Sequence, residues 1–100
     1  MEPVDVLKAL SNPTRLQILT WLKEPEKHFP PDEKGYQYII GVCVGDIADK
    51  VGLSQSTVSE YLAVLHRAGL VTSQRCGQWT FYKRNEATIR EFVHFMAHDL

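Results

Sequence analysis

Residues 52–71 read GLSQSTVSEYLAVLHRAGLV. Val58, Tyr61, Leu62 and Leu65 recur at the spacing of one helix face, yet Ser54, Gln55, Ser56, Thr57 and Ser59 crowd the first two turns. Ser and Thr are indifferent helix formers, because their hydroxyls compete for backbone partners. Something besides helix stability favours them here. Ser54 suits an N-cap and Gly69 a C-terminal stop, which bounds a helix running to about Arg67. Just upstream, GDIADKVG predicts a shorter helix, with Asp46 near its start and Gly52 as its stop. Two short helices separated by VGLS form a helix-turn-helix pattern. Gly52 permits the tight turn, and Leu53 is expected to tuck into the core beside it.

On a wheel of about 100° per residue, the apolar side chains of the second helix fall on one side. Ser56, Ser59, Glu60, Ala63 and Arg67 fall on the other, and Gln55 and Thr57 flank the first turn. The outward face is polar and low in bulk, as a major groove about 12 Å wide demands of an entering helix. Gln bonds adenine in a bidentate way; Ser and Thr bond bases or phosphates. Ala63 permits close approach and contact with a thymine methyl. Taken alone, the hydroxyl run fits a solvated, Ser-capped helix start equally well.

The segment that follows shifts the balance. LVTSQRCGQWTFYKR predicts a β-hairpin, with Val71, Trp79, Phe81 and Tyr82 as strand formers and Gly77 at the turn. Arg75, Gly77, Gln78, Lys83 and Arg84 lie on or beside this projection. Such a wing reaches the DNA backbone or minor groove next to a recognition helix.

The flanks are helical. In PVDVLKAL, Val4, Leu7 and Leu10 stand at helical spacing behind Pro3. In SNPTRLQILTWLKE, Asn12 caps, Pro13 opens the helix, Leu16, Ile18, Leu19 and Leu22 form its apolar face, and Pro25 is expected to end it. PEKHFPPDEKG (25–35) is rich in breakers and reads as a loop; YQYIIGVCV (36–44) reads as a short strand bent at Gly41. Asn85 caps a last helix whose Ile89, Phe92, Val93, Met96 and Leu100 form a broad apolar stripe. The order is α-α-β-α-α-β-β-α: mainly helical, with a small hairpin.

One hundred residues suffice for one small domain, in which association commonly adds apolar burial. The start MEPVDVLKAL has neither the basic opening nor the long apolar core of a signal peptide, and no apolar run approaches a membrane span of about 20 residues. A soluble, cytoplasmic protein is the expectation. Two cysteines, Cys43 and Cys76, are too few for a disulfide framework. The net charge is -1, but residues 54–84 carry a local +3 while each flank carries -2. Positive charge gathered in one third of the chain suits an anionic partner. No nucleophile–base pair, phosphate-binding Gly loop or metal-hydrolase motif points to an enzyme.

With ALSNPTRLQIL, GDIADKVGLSQSTVSEYLAVLHRAGLV and QRCGQWTFYKRNE together, the chain resembles the ArsR/SmtB family of bacterial winged-helix repressors. The likeness spans nearly all of it, except a loop at roughly 25–40 that is longer than usual. It implies one winged helix-turn-helix domain over 1–100, with dimerisation helices at 1–24 and 85–100, a loop and short strand at 25–43, the helix-turn-helix at 44–67 and the wing at 70–84. It implies a homodimer on a palindromic operator, released by an inducer. Ser54, Gln55, Ser56, Thr57 and Ser59 match the family's DNA-reading positions, and Arg75 and Gln78 its wing positions; Arg67 joins them from the outward face of the helix. Glu60 departs from the family, where many members carry His or another non-acidic residue, and it is left off the reading set. An acid among phosphates is repelled unless it accepts from a cytosine amino group.

No cofactor is expected, and the family's metal patterns are not met. Arsenic- and cadmium-sensing members carry Cys-Val-Cys-Asp where this chain has CVGD, so Cys43 lacks its second thiolate and Gly45 stands in its place. Zinc-sensing members carry a differently spaced set on the last helix from Glu91, His94 and His98. These four residues are the metal candidates. Oxidation of Cys76 at the wing is a further route to an inducer response. A winged-helix module that binds a protein partner instead of DNA is the alternative reading.

Overall fold

The computed structural model describes residues 1–31 and 36–100, with the side chains at 36 and 38 outside the description. Its elements run α1 (Pro3–Leu10), α2 (Pro13–Trp21), α3 (Pro25–His28), α4 (Tyr36–Ile39), β1 (Val42–Cys43), α5 (Val44–Val51), α6 (Gln55–Arg67), β2 (Val71–Cys76), β3 (Trp79–Arg84) and α7 (Glu86–His98). The three strands form one antiparallel sheet in the order β1-β3-β2.

Local chemistry explains most of the boundaries. Glu2 accepts from the Val4 amide, Asn12 from Arg15, Ser54 from Thr57 and Asn85 from Thr88, so four helices start on a side-chain cap. Val6, Ile18, Ile47, Val58, Leu62 and Leu65 are fully buried and tie α1, α2, α5 and α6 into one core. Each such side chain contributes roughly 1.5–3 kcal/mol of burial.

Several expectations give way. Residues 36–39 form a turn of helix, not a strand, and β1 keeps only Val42 and Cys43, opposite Tyr82 and Phe81. Gly41 breaks the two apart with φ of 110°, and a Cβ there would lie 2.0 Å from the Tyr82 carbonyl oxygen. The buried Gln37 amide donates to the Pro30 carbonyl, and Lys83 Nζ donates to the Ile39 carbonyl at 3.2 Å. The expected loop 25–35 holds the short α3; its residues 32–35 lie outside the described residues. The helix before it ends at Trp21, ahead of Pro25.

The apolar stripes also divide differently. On α1 the core takes Val6 and Ala9 and leaves Val4 and Leu7 exposed, because the helix turns that flank toward α2 and α6. Leu16 on α2 and Leu53 in the turn are likewise exposed. On α7 no residue is buried: Ile89 and Phe92 rest partly on the core, while Val93 is 58% exposed; Leu100, expected on the same stripe, lies past the helix end and is 85% exposed.

Candidate nucleic-acid interface

Gly52 takes the left-handed conformation, φ 82°, that ends α5, and its amide donates to the Ala48 carbonyl at 2.8 Å. The chain then turns into α6 within three residues. Val58, Leu62 and Leu65 anchor the inner face of α6, so the outer face is fixed by default. Gln55, Ser56, Ser59, Glu60 and Arg67 are exposed there, and Thr57 and Ala63 are half-buried.

The hydroxyls do not all point outward unoccupied. Ser54 Oγ accepts from the Thr57 amide at 3.2 Å and donates to Thr57 Oγ1 at 3.0 Å; the Ser54 and Ser56 hydroxyls lie 3.2 Å apart. Three of the five residues that match the family's DNA-reading positions therefore share a capping network. Gln55 and Ser59 stand outside that network. The Gln55 amide nitrogen sits where a Cβ on Gly45 would come within 3.4 Å of it, so the glycine that replaces a thiol position also leaves room for this side chain.

Arg67 lies twelve residues past Gln55, about 18 Å along the helix at 1.5 Å per residue. It lines a groove of about 390 Å³ with Asp5, Lys8 and Arg15, at the far end of α6. The structure does not bring it together with the first turn.

The wing is a two-residue hairpin across Gly77 and Gln78, with Arg75 opposite Thr80 and Cys76 opposite Trp79. Gly77 at φ 61° in the first central position follows the type II′ pattern. Arg75 Nε donates to the Gly77 carbonyl at 3.1 Å, which holds its guanidinium at the tip beside exposed Gln78. Leu70 donates to the Leu65 carbonyl at 3.0 Å and Asn85 to the Leu70 carbonyl at 2.9 Å, so the wing base is tied to the end of α6. Two features escaped the sequence. Arg84 is engaged by Glu86 at 2.8 Å, which reduces the free positive charge of the segment. Trp79, read only as a strand former, is 53% exposed at the wing tip.

The metal candidates sit apart in chemistry. Cys43 is the half-buried residue before α5, and burial pushes its thiol above the ordinary range, opposed by the Asp46 amide. On α7, Glu91 lies 3.6 Å from the Met1 amino group, and the His94 and His98 rings pack 4.2 Å apart. Among the described residues no three His, Cys, Asp or Glu side chains converge as a metal ion requires. Also among them, no helix is long and apolar enough to cross a membrane.

Residues 42–73, which hold β1, both helices of the motif and the start of the wing, match the profile of the bacterial regulatory protein, arsR family. Over all 100 residues the chain is 51% identical to YbzH of Bacillus subtilis strain 168, an uncharacterized HTH-type transcriptional regulator, end to end in both proteins. The chain belongs to the ArsR family. It is 36% identical to the putative arsenical resistance operon repressor ArsR2 of Halobacterium salinarum, over 85% of this chain and 60% of that protein. The solution structure of Mb0332 from Mycobacterium bovis, a homodimeric winged helix-turn-helix DNA-binding domain, superposes with a TM-score of 0.66 at 30% identity, covering 94% of this chain and 74% of that one. This ArsR-family chain has the winged helix-turn-helix fold, and it is a transcriptional regulator and not an enzyme.

Proposed function

We propose that this ArsR-family regulator is a homodimeric, inducer-released repressor of a palindromic operator in the cytoplasm. The outer strip of α6 carries the reading: Gln55, Ser56, Ser59 and Ala63 are small or flexible, and they stand on a helix held rigid from behind by Val58, Leu62 and Leu65. Gln55 and Ser59 read bases, the Ser54–Thr57 network holds the helix start against a phosphate, and Arg75 and Gln78 hold the neighbouring backbone.

Dimerisation is supported by the apolar side chains that α1 and α7 leave in water. Val4, Leu7, Val93 and Met96 are each 39% or more exposed, on the first and last helices that the family resemblance assigns to the interface. A two-fold dimer presents two copies of α6 to half-sites about 34–36 Å apart. Release by an inducer rests on the same resemblance, and no metal or other cofactor is assigned to that step.

A salt series of binding to the protein's own promoter, read by fluorescence anisotropy, tests this. Tight, sequence-dependent binding with a steep salt slope is expected. Micromolar binding indifferent to sequence would overturn it and favour a winged-helix module with a protein partner.

A further inference from the structure

We propose that Glu60 is a specificity-determining residue that selects a cytosine in each operator half-site. This rests on the DNA-reading role proposed for α6.

Glu60 is exposed on the same strip as Ser56, Ser59 and Ala63, in the middle of α6. Its neighbours one turn away on either side are Ser56, Thr57, Ala63 and Val64, none of them cationic. Arg67, the next cation on that face, is two turns on and lines the groove beside α1. Among the described residues Glu60 makes no ion pair and no side-chain hydrogen bond. The carboxylate thus enters any groove with its acceptor capacity unspent.

A carboxylate accepts and cannot donate. In the major groove, guanine presents N7 and O6 and thymine presents O4, all acceptors that repel it. Adenine places its N6 donor next to the N7 lone pair. Cytosine alone offers an amino donor with no acceptor of its own beside it. Between two rails of phosphates, an acid that finds no donor is purely repulsive. Cytosine N4, with no acceptor of its own base beside it, is the base-edge partner that best turns the same charge into a contact. Glu60 stands one turn, about 6 Å, beyond Ser56 along the axis. With bases spaced about 3.4 Å per strand, its cytosine lies about two steps from the base under the first turn. In a homodimer the requirement appears twice, symmetrically.

The test is selection from a randomised duplex pool by the full-length protein, wild type, Glu60→Ala and Glu60→Gln, each checked for native helicity by circular dichroism. The wild type should enrich cytosine at one position per half-site. Glu60→Ala should lose that position alone, and Glu60→Gln should replace cytosine with adenine. Changing the cytosine should weaken wild-type binding by about 5- to 150-fold per half-site, with little effect on Glu60→Ala. If Glu60→Ala keeps cytosine at that position, or merely tightens binding to all sequences with an unchanged motif, Glu60 does not select it. If the wild type enriches no motif at all, the reading role of α6 fails, and this inference fails with it.

Discussion

Ser54 Oγ accepts the Thr57 amide at 3.2 Å and donates to Thr57 Oγ1 at 3.0 Å, so the first hydroxyls of α6 hold its start together. This network gives the poor helix formers in that segment a structural task beside the DNA-facing one proposed for them. Ser54→Ala should therefore lower stability by about 1 kcal/mol, within the usual 0.5–2 for a lost cap. For a domain of this size that is a fall in Tm of about 4–8 °C. Urea and thermal unfolding check it; an unchanged midpoint would show that water replaces the cap at no cost.

Gly41 sets the junction between α4 and β1. With φ of 110° and the Tyr82 carbonyl oxygen 2.0 Å from any added Cβ, Gly41→Ala combines a strained backbone with a clash against main chain. Destabilisation by more than about 1 kcal/mol is expected. A variant as stable as wild type in urea would mean that β1 and β3 separate freely.

Arg75 is the wing cation poised at the tip by the Gly77 carbonyl. Arg84 is engaged by Glu86, so Arg75 should carry most of the wing's contact with phosphate. Arg75→Ala should weaken binding to specific and non-specific DNA alike and flatten the log–log salt slope by about one per wing. A loss confined to the specific sequence would instead make Arg75 a base reader.

Val93 is 58% exposed on α7, so changing it disturbs little of the protomer's own core. Val93→Asp should leave a folded monomer by analytical ultracentrifugation. Operator affinity should fall about 10²- to 10⁴-fold as the two half-sites lose their linkage. A variant that remains dimeric would move the interface away from this face of α7.

The residues differ in how much they disclosed before folding was known. Asn12, Ser54 and Asn85 marked helix starts, and Gly52 and Gly77 marked turns, because each acts through neighbours a few residues away. The inner face of α6 was legible for the same reason: 3.6-residue periodicity is local. Residues 36–39 misled, since aromatic and β-branched side chains suit a strand, while the approach of Gly41 to Tyr82, a contact across 41 positions, decides where the strand begins. Val4 and Leu7 showed a stripe, but periodicity cannot tell a face that meets the chain's own core from one that meets water. The engagement of Arg84 by Glu86 and the sharing of hydroxyls among Ser54, Ser56 and Thr57 depend on rotamers, which spacing does not encode.

In the proposed dimer, two copies of α6 enter successive major grooves. Methylation interference on the protein's own promoter addresses this directly, because guanine N7 lies in the major groove. Two blocks of interfering guanines are expected on one face of the duplex, centred about 10–10.5 base pairs apart or a multiple of that. Binding that is untouched by N7 methylation, or blocked at a single cluster without a symmetric partner, would contradict it.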